Sequence, residues 1–367
     1  MVKKKLKILI IAPTNFKVVD QNTLNSGSIE QHTYLLSEAL QKRGHEVTLY
    51  ATKDAGCPKG VKLEYTFKST PKNYYNLDKT NIFARDFIQV TSALKKSAKY
   101  DYVSCHSISS IGIVELLKSQ GVPIMGSTTL HWRVDDPRVQ PLLSQYPKHP
   151  LIVISRHANK ALLKNNNVLG IVHHGLKINQ WKYTKNKSGY LLFVGKIIPE
   201  KGVDIAVQVA CKTGYPLVIA GRRLDERYPD FFREKIQPFL NEKIRYLGEV
   251  SGREKVDLFR KASFFLGPGR WAEPFGMVFI ESQACGTPVV AWNPGSSNDF
   301  IIRGKTGFII KSKTEDDALN EMVHLFQKKL TINPNDCLEN IKKKYLIEHT
   351  AEKYENIIYR QILDSKI

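Results

Sequence analysis

The stretch from Leu266 to Ala291, LGPGRWAEPFGMVFIESQACGTPVVA, decides how the rest of the chain is read. An apolar strand end at Phe264–Leu266 runs into a turn rich in Gly and Pro, then a helix expected from near Pro274 and a second strand expected from Pro288. In an α/β sheet that order delivers a loop and a helix N-terminus to the edge where ligands bind. Two carboxylates bracket the turn. Glu273 and Glu281 stand eight positions apart, a little over two turns at roughly 3.6 residues each, so both can share one side once the helix has begun. Phe275, Gly276 and Met277 are expected in the first turn, where N–H groups lacking helical partners can donate to ligand oxygens. A pair of Glu residues at this spacing is equally at home on a surface helix. Glutamates and free amides together outline a polyol- and phosphate-binding site, and the phrase Glu-Pro-Phe-Gly with the small-residue helix end Ala284-Cys285-Gly286-Thr287-Pro288 is far more specific than the glutamate pair alone.

Working outward, 367 residues suit two domains of average size better than one core. The composition is that of a globular protein, and no run approaches the roughly 18 to 20 apolar residues of a membrane span. The opening MVKKKLKILIIAP has the basic start of a signal peptide, but its apolar run is too short and leads into polar PTNFKVVDQN, so it is read as a first buried strand. Cys57, Cys105, Cys211, Cys285 and Cys337 are odd in number and widely spaced, which indicates neither a disulfide framework nor a zinc site and points to the cytoplasm. The formal net charge of +20 bears on partners more than on fold. Residues 1–180 hold 25 Lys/Arg against 12 Asp/Glu, so most of the excess sits in the first half. Nucleic acid, an anionic membrane face at the inner side of the membrane, or a lysine-rich composition with solvated basic faces could each produce it; no module that interleaves aromatics with basic residues supports specific nucleic-acid binding.

In chain order, Leu6–Ala12, a helix over SIEQHTYLLSEALQKRG and Val47–Tyr50 form a βαβ opening. Gly27-Ser28-Ile29-Glu30 starts that helix, where an anion or a hydroxyl can be held. Residues 54–75 read as irregular, Asn76–Lys96 as a helix, and Tyr102–Cys105, Pro123–Ser127, Leu151–Ile154 and Gly170–His173 as strands. His131 falls just past one strand end, as either a structural hydrogen-bonding group or a site residue. His173-His174 hints at a metal, but neighbours on a strand point to opposite faces and no third ligand is evident. From Tyr190 a second set begins: strands at Tyr190–Val194, Pro216–Ala220 and Ile244–Gly248, and a helix from Val203. The turn Gly195-Lys196-Ile197-Ile198-Pro199-Glu200-Lys201-Gly202 offers two lysines five apart, a spacing suited to two phosphates or to plain surface charge.

The chain resembles the retaining glycosyltransferases of the GT-B fold, family 4, with their E-x7-E signature. The similarity is strongest from Tyr190 to Ile310. It implies two Rossmann-like domains facing each other across a cleft. Residues 1–177 together with a C-terminal helix over 351–367 would form the acceptor side, and 178–350 the nucleotide-sugar side. It also implies roles for named residues. Glu273 would meet the donor sugar hydroxyls and Glu281 the ribose. Gly195, Lys196 and Lys201 would hold the diphosphate, and the Phe275, Gly276 and Met277 amides would hold the sugar with Glu273; Val250 would border the base, and Gly27 and Ser28 would face the donor phosphates and the acceptor. His131 would contact the sugar. Lys196 stands where Arg is commoner, which keeps the charge and loses the planar fork. The implied activity is hexosyl transfer from a nucleotide-diphosphate sugar, with UDP the preferred base, to a hydroxyl acceptor on a glycan, lipid or small molecule. No cofactor or metal is called for, since lysines can neutralise the leaving group and no Asp-x-Asp occurs. The rival readings are a sugar-nucleotide epimerase or hydrolase of the same architecture, and a non-catalytic binder of polyanions.

Overall fold

The computed structural model describes residues 4–21, 23, 27–71, 79–137, 139–162, 164–292, 295–328 and 330–365. The chain divides into two compact units, Met1–Gly175 with Ile347–Ile367, and Leu176–Leu346.

The first unit is built on β1 (Lys7–Ile11), β2 (Glu46–Ala51), β3 (Lys62–Tyr65), β4 (Tyr102–Cys105), β5 (Gly126–Leu130), β6 (Leu151–Val153) and β7 (Val168–Ile171). They form one parallel sheet in the order β3-β2-β1-β4-β5-β6-β7. Ile8, Leu9, Ile10 and Ile11 are fully buried, because a central parallel strand is covered on both faces and needs apolar side chains on each. From β1 the chain steps outward through β2 and β3, then returns to the other flank at β4. The loops after β1 and β4 therefore diverge, which is where such sheets leave room for functional groups. The C-terminal helix Ile347–Asp364 belongs to this unit. Its Glu355 accepts from Arg43 at 2.8 Å and pairs with His45 at 3.1 Å, while Tyr354 and Thr129 share a hydroxyl–hydroxyl bond of 2.8 Å.

The second unit carries β8 (Leu191–Val194), β9 (Leu217–Ala220), β10 (Ile244–Tyr246), β11 (Phe264–Gly267), β12 (Val289–Trp292) and β13 (Gly307–Ile310), in the order β10-β9-β8-β11-β12-β13. Here the direction reverses between β8 and β11, which pair in parallel through Leu191↔Phe264 and Leu192↔Phe265. The chain thus has two α/β units, each built on its own parallel sheet.

Several expectations need correction. The irregular stretch 54–75 contains β3, a four-residue edge strand whose half-exposed KLEY pattern is too short to stand out. The strand placed at Pro123–Ser127 runs instead over Gly126–Leu130: Pro123 lacks an N–H for the ladder, and the β-branched pair Thr128-Thr129 carries the pairing. The strand placed at Gly170–His173 ends at Ile171, so both histidines lie beyond it and the alternation argument does not apply to them. The helix expected from Asn76 is described from Lys79; its first three expected residues lie outside the described ones.

Among the described residues no helix is long and apolar enough to cross a membrane. A depression of about 370 Å³ beside Lys4, Lys5 and Tyr100 lies at the sheet edge where β1, β2 and β4 begin, opposite the edge at which the same strands end.

Candidate functional site

In the second unit the loops after β8 and β11 are brought side by side by the pairing of those strands. Gly202 makes the approach possible: its φ is +69°, and a Cβ there would lie 1.9 Å from the Pro268 carbonyl oxygen. Arg270 then fastens the β11 loop. Its guanidinium donates to both oxygens of Asp204 (2.8 and 2.7 Å), both of Glu315 (2.7 and 2.6 Å) and the Pro199 carbonyl (2.6 Å). Hydrogen bonds to these carboxylates, Asp204 first, raise its pKa beyond the ordinary arginine value.

The fastened loops juxtapose three side chains. Lys201 Nζ donates to Glu273 Oε2, Trp271 Nε1 donates to the same oxygen at 3.0 Å, and the Lys201 ammonium lies 4.7 Å from the Trp271 ring centroid. Lys201 and Glu273 each keep about a quarter of their side-chain surface exposed, so solvent still reaches the pair. Lys196 is exposed by area yet closely surrounded. Desolvation first, then Lys201, lowers its pKa, with Arg227 and Arg222 adding to the effect and Glu273 opposing it.

The helix expected from Pro274 begins at Met277. Gly276, its N-cap, holds φ +79°, a conformation that interrupts a helix. The Glu273 and Phe275 carbonyls are taken instead by Ser296, through its N–H (3.0 Å) and Oγ (2.6 Å). Phe275 and Gly276 are therefore turn residues, and only Met277 belongs to the first helical turn. Glu281 lies inside the helix, 2% exposed, with Lys255 Nζ 2.8 Å from its Oε2, near enough for an ion pair but off the hydrogen-bonding direction. The two glutamates thus hold separate ammonium partners. Gly195 donates its N–H to Ala220 at 3.0 Å, and Val250 is half-buried in the turn before the helix Gly252–Lys261.

In the first unit Gly27 caps the helix Ser28–Lys42 with Ser28 exposed. The Glu30 carboxylate folds back so closely that a Cβ on Gly27 would meet it at 2.1 Å. His131 directly follows β5 but is only 7% exposed. Its Nε2 is 2.9 Å from His106 Nδ1 and its Nδ1 3.2 Å from His174 Nε2, with His32 packed over all three rings. Burial, reinforced by the neighbouring rings, keeps all four imidazoles neutral: His106 falls to about 3 and the others lie well below the usual value.

Sequence reasoning missed Trp271, Arg270, Lys255, Ser296 and this histidine cluster. Part of the last becomes readable only once the sheet order is known: His106 follows β4 as His131 follows β5, and β4 and β5 are neighbours.

Comparison with known proteins bears on the same segments. Residues 177–344 match the family model described as glycosyl transferases group 1, and residues 29–174 that of glycosyltransferase family 4. An uncharacterized glycosyltransferase of Methanocaldococcus jannaschii is 23% identical over 338 residues, 79% of this chain and 83% of that protein. Other curated relatives are matched over about half their length. Among solved structures, sucrose-phosphate synthase from Thermosynechococcus elongatus superposes with a TM-score of 0.78 at 16% identity, covering 99% of this chain and 100% of that one. The Anabaena protein HepE, in complex with UDP-glucose, gives 0.71 at 14% identity, over 97% and 100%. The two family models jointly span most of the sequence, and the chain belongs to the group 1 glycosyltransferases of the GT-B fold.

Proposed function

We propose that the protein transfers a hexosyl group, with retention at the anomeric carbon, from a nucleotide-diphosphate sugar, UDP-linked by preference, to an acceptor hydroxyl on a glycan, lipid or small molecule. The observation that carries this is the meeting of Lys201, Glu273 and Trp271 beside Lys196 at the reversal point of the second sheet. Departure of a nucleoside diphosphate develops negative charge, and preorganised ammonium groups stabilise it without reorganising at that moment. Lys196 and Lys201 supply two such groups from one loop. A carboxylate already at Lys201 fixes where the lysine points and offers its remaining lone pairs to sugar hydroxyls. With lysines in this role the transfer needs no metal at the diphosphate. A departing phosphate oxygen that takes the acceptor proton on the same face accounts for retention without a protein nucleophile. Glu281 is assigned to the ribose, which it reaches by exchanging its contact with Lys255. In the first unit the resemblance alone carries His131, as a neutral imidazole.

A solved neighbour that holds UDP-glucose supports the choice of donor class. If the acceptor is a lipid or a membrane-held glycan, the basic first half serves as a peripheral dock on an anionic surface. The test is a thermal-shift panel of nucleoside diphosphates followed by hydrolysis rates for the matching nucleotide sugars. A rise in Tm with UDP, and slow UDP release from a UDP-hexose that quickens with acceptor, are expected. No response to any nucleoside diphosphate would end the proposal.

A further inference from the structure

The first unit gathers four buried imidazoles at the C-terminal edge of its sheet, and the transfer reaction as assigned employs at most one of them. His106 follows β4, His131 follows β5, His174 lies past β7, and His32 reaches over them from the helix Ser28–Lys42; their exposures are 1%, 7%, 4% and 3%. Their hydrogen bonds order three of the rings. Ser104 Oγ sits 3.1 Å from His106 Nε2, and His174 Nε2 sits 3.2 Å from His131 Nδ1. The nitrogens left over, His106 Nδ1 and His131 Nε2, face each other at 2.9 Å. His32 stands apart from this order: both of its ring nitrogens are buried, and neither has a hydrogen-bond partner. Its centroid is 4.2 Å from that of His174 and 5.4 Å from those of His106 and His131.

We infer that His32, His106 and His131 form a binding site for a divalent cation of zinc type. One ligand nitrogen from each of the three lies within 4.8 Å of the others. Tetrahedral zinc with Zn–N near 2.0–2.1 Å needs nitrogens about 3.3 Å apart, so side-chain shifts of around an ångström or less convert the cluster into a ligand set. Neutral imidazole is the ligating form, and all three rings are buried. The surrounding bonds also suit ligation, because a metal-bound histidine characteristically gives its other N–H to a fixed acceptor. His106 Nε2–H can give to Ser104 Oγ, and His131 Nδ1–H to His174 Nε2. A metal gives one His32 nitrogen the partner it lacks.

Such an ion is structural. It joins the helix Ser28–Lys42 to the ends of β4 and β5. It commits His131 Nε2 to the metal, so ligation and a sugar contact through that atom exclude each other. The inference does not depend on the transferase reading, since its readout is metal content.

The experiment is elemental analysis of tag-free protein produced in zinc-supplemented medium and dialysed against a weak chelator. About one zinc per chain is expected. Production with Co2+ is expected to give the visible d–d bands of a four-coordinate nitrogen site. His32→Asn and His106→Gln should each lower the metal content at least several-fold, whereas His173→Gln, at a half-buried neighbour in sequence, should keep it. If the first two variants do not fold, the metal content and cobalt spectrum of the unaltered chain still decide. Metal below roughly a tenth of an equivalent, with no change in Tm on adding zinc to chelator-treated protein, would mean a hydrogen-bonded imidazole network only and would overturn the inference. Metal that is retained in full by both folded variants would overturn it as well.

Discussion

At the reversal point of the second sheet, between β8 and β11, the loops carry full charges that water can reach: Lys196, and Lys201 against Glu273. At the matching point of the first sheet, between β1 and β4, polarity is buried. His106 donates its backbone N–H to Ile11 at 3.0 Å and begins the neutral imidazole cluster, and Asp86 lies beneath the hydroxyls of Ser107 and Ser109. One topology has been furnished in two ways. Exposed ions exchange water for a charged ligand at small cost, whereas buried polar groups are costly unless their partners are permanent. The second unit thus keeps its charges open to exchange, and the first keeps its polarity fixed in the interior.

The sharpest test of the assignment is Glu273→Ala. If Glu273 acts on the sugar as it reacts, turnover should fall by about 10²- to 10³-fold, the scale of losing one preorganised polar contact at the reacting centre. Affinity for free UDP should hold or tighten, because Lys201 loses its internal partner and becomes more available to phosphate. Donor hydrolysis rates and isothermal titration on the same variant separate the two effects. Loss of both in equal measure would show Glu273 to be a scaffold for the loop.

Next in size is Lys201→Ala. Removing one charge-assisted contact to the diphosphate, worth roughly 1.5–3 kcal/mol, should weaken nucleotide binding by about ten-fold or more and flatten its dependence on salt. An unchanged salt slope would place the diphosphate elsewhere.

A smaller effect follows from Lys196. An ammonium whose pKa is lowered discharges earlier on the alkaline side than an ordinary lysine, whose value is near 10.4. The charged form is the one that binds phosphate, so affinity should be full at neutral pH and drop several-fold as pH rises through that lowered value. Lys196→Arg keeps its charge and should abolish the drop. Titrations from about pH 7 to 10 that show equal slopes for the two proteins would remove Lys196 from the phosphate site.

The second unit was largely legible in the sequence because its features are local. The strands at Leu191–Val194 and Leu217–Ala220 and the Lys196–Lys201 turn are written in consecutive residues. The helix start was misplaced because what delays it is remote. Ser296, 21 residues beyond Phe275, takes the carbonyl that the expected first turn would have used. Arg270 was missed for the same reason, since its partners Asp204 and Glu315 lie 66 and 45 positions away. In the first unit the discrepancy is greater. His32, His106, His131 and His174 are scattered over more than a hundred residues, and only strand order brings them together. Single histidines past strand ends carry no sign of being neighbours until the sheet order is known.

The smallest expected effect tests the buried side of the comparison. Asp86 is buried, 8% exposed, and desolvation raises its pKa against the opposing hydrogen bonds from Ser107, Ser109 and the Thr14 backbone. A carboxyl raised on folding contributes stability that is fully present below its unfolded pKa and is lost as pH climbs through the folded one. Asp86→Asn removes the ionisation and keeps an acceptor for one serine. Its Tm should therefore match the unaltered protein in acid and exceed it by about 2 °C at neutral pH. If the variant instead melts lower at neutral pH, the carboxylate charge is itself holding the Ser107–Ser109 turn. The first sheet would then keep a working anion at its reversal point just as the second keeps working cations, and the contrast between the two units would be one of sign, not of burial.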